Sequence, residues 1–255
     1  MLDAAAALAR SLRSPTVPLL TLEGVHTHIG EYHILQGVDL VVPRAGLTVL
    51  LGRNGAGKST TLRTIMGLWH ASAGKLQFDG NDITTEATPD ISRRGIAFVP
   101  EDMGIFAGLT VQENLRLAAI GGRFDQARLD WIFSLFPALK RFWLRPGGTL
   151  SGGQKQMVAI ARAIIEPRKL LLIDEPTKGL APAIVDNLSQ AFIELKARDT
   201  TILLVEQNFH FVRALGDHVA VMDDGRIVHA GSMQALSDNE SLQARLLGLH
   251  AGAVH

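Results

Sequence analysis

The sequence contains no cysteine. Disulfides, thiolate catalysis and cysteine-based metal sites are therefore excluded. Net charge is also missing, because 25 Lys and Arg balance 25 Asp and Glu. Such a chain gives no support to a broad basic surface, so no nucleic-acid partner is expected. Aromatic residues make up only 5% of the whole. No apolar run approaches the roughly 20 residues that a membrane-spanning helix needs. The longest, such as Leu170-Leu171-Leu172-Ile173, are strand-sized. The chain is expected to be soluble and to serve a membrane only from its surface, through a partner. No Asn-Lys-x-Asp run is present to read a guanine base. Nine histidines occur, but His26 and His28 lack a third ligand at usual spacing and read as strand-face residues.

What is present begins with residues 52–60. Gly52, Gly57, Lys58 and Ser59 satisfy G-x-x-x-x-G-K-[ST], the phosphate-binding P-loop. The full stretch is Gly52-Arg53-Asn54-Gly55-Ala56-Gly57-Lys58-Ser59-Thr60. An apolar run, Leu47 to Leu51, enters it as a buried strand. Leu62, Ile65 and Met66 leave it at helical spacing. Glycines let the backbone wrap close to a phosphate, and successive N–H groups at a helix N-terminus point at the anion. Lys58 is expected to reach the β- and γ-phosphates of ATP, and the Ser59 hydroxyl to ligate Mg²⁺.

The 255 residues suffice for one large α/β domain with room for a subdomain. Residues 1–18 carry Ala4 to Ala9 followed by Arg10 and Arg13. That is too short and wrongly flanked for a secretory signal, and a flexible N-terminal extension is expected. Strand patterns follow at Leu19–Ile29, Gly37–Val42, Lys75–Phe78 and Ile96–Val99. From about 105 to 165 the strand signal disappears. Leu129, Ile132, Phe133, Phe136 and Leu139 share one helical face, and Met157, Ile160, Ala161 and Ile164 repeat the spacing. This predicts a helical subdomain inserted into the α/β core. Strands resume at Leu170–Ile173, Ile202–Val205, Val219–Met222 and Arg226–Val228. Ile184, Leu188, Phe192 and Leu195 mark a helix, and Ser232 to Leu249 reads as a helical tail.

Two further motifs carry chemistry. Leu170–Ile173 delivers Asp174-Glu175-Pro176 at a strand end. Beside a P-loop, Asp174 would serve Mg²⁺ directly or through water, and Glu175 would polarise a water attacking the γ-phosphate. Ser151-Gly152-Gly153-Gln154 stands before the Met157 helix, with Ser151 as N-cap. It is a second anion site. One nucleotide does not need two distant cradles in one chain. Two copies arranged head to tail could share them, each lending its Ser-Gly-Gly to the other's ATP.

P-loop, Leu150-Ser151-Gly152-Gly153-Gln154 and the apolar-Asp-Glu strand, in this order and spacing, resemble the ATP-binding subunits of ABC transporters. The resemblance covers about Leu19 to Leu249. It implies a P-loop NTPase with a RecA-like core, an antiparallel β subdomain and an inserted α-helical subdomain, all within residues 19–255. It also implies an ATPase that dimerises around two ATP molecules and drives transmembrane permease subunits from the cytoplasmic face of the membrane, as a peripheral subunit. Val99-Pro100-Glu101, Ile105 to Leu115, Gly179-Leu180-Ala181-Pro182 and Val205-Glu206-Gln207-Asn208 look like the shorter ATPase of branched-chain amino acid uptake systems, a branch that includes relatives handling urea and amides. A second, related ATPase is then expected as partner in a heterodimer, with a homodimer as the other arrangement.

Three positions depart from the general family pattern. Glu101 stands where most members carry a Gln near Mg²⁺ or the attacking water. Gln207 replaces a His that contacts the γ-phosphate; its amide can donate a hydrogen bond but carries no charge. Ile29 replaces an aromatic that stacks on adenine, with Tyr32 three residues on as the substitute. The loop after Glu175 carries Lys178-Gly179-Leu180-Ala181 in place of a common Asp. The resemblance places the permease contact in a groove near Glu101 to Thr110. Two other readings compete: a non-transport ABC ATPase of DNA repair or translation, which usually has a coiled-coil insertion or a second ATPase domain that this chain lacks, and a weakly hydrolysing regulatory subunit.

Overall fold

The structure, a computed structural model, describes residues 18–248. The expected extension before Pro18 lies outside the described residues. Strands β1 (Pro18–Ile29) and β2 (Tyr32–Pro43) form a hairpin, followed by β3 (Leu47–Gly52) and helix α1 (Lys58–Ile65). Next come β4 (Ala71–Phe78), β5 (Asn81–Asp82), α2 (Thr88–Arg93) and β6 (Ile96–Val99). Helices α3 (Val111–Ala118), α4 (Gln126–Leu135), α5 (Ala138–Phe142) and α6 (Gly152–Ile164) then run without an intervening strand. The chain closes with β7 (Leu170–Asp174), α7 (Pro182–Lys196), β8 (Thr201–Glu206), α8 (Phe209–Val212), β9 (His218–Asp223), β10 (Arg226–Ser232), α9 (Met233–Ser237) and α10 (Glu240–Leu247).

These strands make two sheets. One is antiparallel, ordered β2-β1-β4-β5. The other is ordered β10-β9-β3-β8-β7-β6, parallel throughout except for the β10 edge. Parallel strands buried on both faces read as continuous apolar runs rather than alternations, as Leu170–Ile173 and Ile202–Val205 do. Their two faces feed two cores. Leu50, Leu172, Leu203 and Val205 pack with α1 and with the inner face of the antiparallel sheet. Leu51, Leu171, Ile173 and Leu204 pack toward α6, α7 and the helical segment.

Two expectations need correcting. Leu129 to Leu139 does not form one helix: Phe136 leaves helical geometry at φ −128°, ψ 73° and Pro137 follows. The ring of a proline clashes with an α-helical residue before it, so α4 ends and α5 restarts. The tail from Ser232 is likewise two helices, restarted where the Asn239 side chain accepts from the Leu242 N–H. The short elements α2, β5 and α8 carry no periodic pattern in the sequence.

Candidate active site

Parallel register explains why distant motifs meet. Leu51 pairs with Glu206, Asp174 with Val205, and Val99 with Ile173. Four adjacent strands therefore end along one edge of the sheet, the edge where ligands bind in open α/β folds. β3 delivers the P-loop, β8 delivers Glu206-Gln207, β7 delivers Asp174-Glu175 and β6 delivers Pro100-Glu101. A pocket of about 300 Å³ opens there, lined among others by Asn54, Gly55, Lys58, Glu101, Glu175 and Lys178.

The P-loop itself is a backbone device. Gly55 and Gly57 take φ values of 84° and 105°, where a side chain is strained. A Cβ on Gly52 would sit 2.4 Å from the Met222 carbonyl oxygen. Gly57 caps α1 and offers no side chain, so no side-chain acceptor occupies the helix N-terminus. Its amides are left for an anion. Lys58 is 4% exposed and lies back along the loop, donating to the carbonyls of Gly52 at 2.9 Å and Arg53 at 3.1 Å. It also stands 3.3 Å from Glu175 Oε1.

Ser59 donates from Oγ to Asp174 Oδ1 at 3.0 Å. The other carboxylate oxygen, Asp174 Oδ2, is buried with no hydrogen-bond partner. Burial pushes the Asp174 pKa up to about 6, opposed by the Ser59 bond and reinforced by the charges of Glu175 and Glu101. A buried carboxylate beside a hydroxyl, one oxygen unanswered, fits the oxygen-only ligand set of a hard divalent cation such as Mg²⁺. Glu101 lines the same pocket, yet its Oε1 is engaged by Lys178 Nζ at 2.5 Å rather than turned onto the Ser59–Asp174 pair.

Glu175 is buried and adopts a left-handed φ of 45°. A non-glycine residue there stores strain of about 1–2 kcal/mol. Its N–H is held by the Val205 carbonyl at 2.9 Å. Gln207 donates from Nε2 to Glu175 Oε1 at 2.8 Å and to Asn54 Oδ1 at 2.6 Å. The amide thus ties the candidate base to the P-loop, a role its sequence position did not indicate. Glu206, also missed, is buried and accepts from the Thr177 N–H at 3.1 Å and the Thr177 hydroxyl at 2.6 Å, fixing the loop after Glu175.

Other predicted residues sit elsewhere. Ser151 to Gln154 open α6 in the helical segment and do not line the pocket. Ser151 Oγ accepts from the Gln154 N–H, and Gln154 Oε1 accepts from the Ser151 N–H at 3.0 Å. Tyr32 is 75% exposed at the β1–β2 turn, and neither it nor Ile29 lines the pocket. Ile34 on β2 does. The outward alternation of β2 was the available signal for it. His26, His28 and His33 stack on the outer face of the β1–β2 hairpin, and no group of three metal-ligating side chains suited to an ion occurs among the described residues.

Comparison with known proteins agrees with this geometry. The ABC transporter family pattern matches residues 35–178. The high-affinity branched-chain amino acid transport ATP-binding protein BraG of Pseudomonas aeruginosa is 38% identical, over 90% of this chain and all of that protein. The probable branched-chain amino acid transport ATP-binding protein LivF of Archaeoglobus fulgidus is 36% identical, over 86% of this chain and 94% of its own. A crystal structure of a nucleotide-free ATP-binding cassette from an ABC transporter superposes with a TM-score of 0.77 at 27% identity, covering 92% of this chain and all of that one. A P-loop, an Asp-Glu strand end and a Ser-Gly-Gly helix start on this fold, together with relatives aligned along nearly their whole length, place the chain in the ABC transporter family as an ATP-binding subunit with ATPase activity.

Proposed function

We propose that this chain powers an importer of branched-chain amino acids or of related small amino acids and amides. The observation that carries this is the resemblance to BraG along that protein's entire length, 38% identity included, joined to a complete set of pocket groups. In this reading residues 19–255 act as one ATPase unit whose helical segment, about 105–165, carries the Ser-Gly-Gly half-site.

The pocket residues divide the work. The P-loop amides and Lys58 bind the phosphates. Ser59 and Asp174 would hold Mg²⁺, with Glu101 at the wall. When bound, the ion neutralises phosphate charge. Glu175 orients the attacking water and takes its proton, and Gln207 keeps that carboxylate facing the P-loop. Ser151 to Gln154 serve the nucleotide of a second ATPase, a related chain or another copy, so each site is completed only on pairing.

No helix among the described residues is long and apolar enough to cross a membrane. In this reading the chain works at the cytoplasmic membrane face through permease subunits, as the transport relatives suggest. A cleft of about 550 Å³ between the parallel sheet and the helical segment is lined by Phe98, Pro100, Met103, Gly104, Leu117 and Arg162, among others. Phe106 stands beside it, half exposed and stacked on Arg162 at 5.2 Å. Phe106→Asp is expected to abolish co-purification with the permease while ATP affinity stays unchanged; intact assembly would move the contact elsewhere.

The central test is Glu175→Gln. ATP binding should persist while turnover falls by about 10²- to 10⁴-fold, the usual worth of a general base. Turnover near wild type would remove Glu175 from that role. Reconstitution with the membrane subunits, following uptake of labelled leucine against labelled urea, assigns the substrate class.

A further inference from the structure

Lys178 belongs to none of the motifs above, yet it stands at the wall of the nucleotide pocket. Three carboxylates converge there with oxygens toward the pocket side, Glu101, Asp174 and Glu175, while a fourth on the same edge, Glu206, has its oxygens held by Thr177 and the Gln207 N–H. Lys58 opposes them from the P-loop and the Arg63 charge acts on Asp174, whereas Gln207 adds no charge. A triphosphate brings further negative charge to the same place. Like charges at this range disfavour one another steeply.

Lys178 supplies the cation on the Glu101 side. Its Nζ lies 2.5 Å from Glu101 Oε1 and 3.8 Å from Glu175 Oε2. Glu175 is thus flanked by two ammonium groups, Lys58 on Oε1 and Lys178 on Oε2. The root of Lys178 is fixed, since Thr177 before it is clamped by Glu206. Exposed ion pairs contribute little to folding, and the Lys178 side chain is 58% exposed. Its placement against Glu101 therefore concerns the pocket rather than the core. Hydrogen bonding to Glu101 also holds the Lys178 pKa above its ordinary value.

We propose that Lys178 is a positioning residue of the nucleotide site, cancelling the charge of Glu101 so that the outer end of a triphosphate can approach. The inference rests on the pocket being the ATP site. It accounts for how a carboxylate is tolerated where a neutral side chain would serve. Lys178 and Glu101 form one unit, so removing Lys178 matters only while the Glu101 carboxylate is present.

The test uses the full-length chain and a fluorescent ATP analogue, titrated with Mg²⁺ and again in EDTA. Lys178→Met should weaken ATP about fivefold, with the larger loss in EDTA, and ADP less than twofold. Lys178→Arg should bind as wild type. In a Glu101→Gln background, Lys178→Met should change ATP affinity less than twofold. An equal loss in both backgrounds overturns the proposal, as does an unchanged affinity in the single variant or equal losses for ATP and ADP. A loss that appears only when a second ATPase is present also overturns it and assigns Lys178 to the dimer contact. A wild-type chain that binds no ATP analogue refutes the pocket reading instead. Melting curves of each variant confirm that this exposed change leaves folding intact.

Discussion

The P-loop and the Ser-Gly-Gly turn are both glycine-bearing starts of helices, and they differ in what their amides are doing. At α1 the cap is Gly57, with no side-chain acceptor in place. At α6 the cap is Ser151, locked in a reciprocal box with Gln154. The first helix start leaves its donors to a ligand. The second satisfies two of its own donors and needs nothing further to be stable as a single chain. A phosphate reaching α6 would have to share the Gln154 amide with Ser151 Oγ and the Ser151 amide with Gln154 Oε1, so this helix start is the weaker anion site in the single chain. The same glycine chemistry thus leaves amides free at one helix start and capped at the other.

The largest test of this contrast is Lys58→Ala. Lys58 is buried inside the loop, and Lys178 on the far side of Glu175 is engaged by Glu101, so ATP affinity of the isolated chain should fall by about 100-fold, roughly 3 kcal/mol. Equilibrium binding measures it, and persistent tight binding would mean that the loop backbone alone suffices. Next in size is a pH effect confined to the P-loop side. The folded-state pKa of Asp174, about 6, lies above its ordinary 3.8. The folded state therefore holds this proton more tightly than the unfolded state does. The stabilisation is complete below about pH 4 and lost as pH rises through 6, a swing on the order of 3 kcal/mol. Asp174→Asn should raise the melting temperature of the ligand-free chain at pH 7.5 and leave it nearly unchanged at pH 4.5; a shift of equal size at both values removes the titration from the account. The smallest effect belongs to the other helix. Ser151→Ala should cost about 1 kcal/mol of stability through the lost cap, with ATP affinity of the isolated chain unaltered and turnover of the assembled pair reduced. Weaker ATP binding in the isolated chain would dissolve the contrast.

Local chemistry made much of this legible. The apolar runs of β3, β7 and β8 read as strands by their length, and Ser151 announces a helix start by residue type. The break at Phe136-Pro137 was present in the sequence, but the helical spacing of Leu129 to Leu139 continued across it and concealed it. Lys178 was legible only as a departure from the family loop, not as a partner of Glu101, and Ile34 only through the alternation of β2. A lysine in a loop after an Asp-Glu pair looks like any solvated charge until Glu101, 77 residues earlier, is seen opposite it.

What the sequence determined by itself is the list of groups: a phosphate loop, a hydroxyl, carboxylates at strand ends and a capped glycine turn, each dictated by backbone freedom or by residue chemistry over a few positions. The tertiary structure decided which of them meet. Strand order β3-β8-β7-β6 is a consequence of crossover packing, invisible in any local window, and it alone brings Lys58, Glu101, Asp174, Glu175 and Gln207 to one edge. The same order leaves Ser151 outside the pocket and sets Lys178 against Glu101. Charge balance is a property of that edge, not of any segment, because Coulomb energy depends on distance in space rather than on separation along the chain.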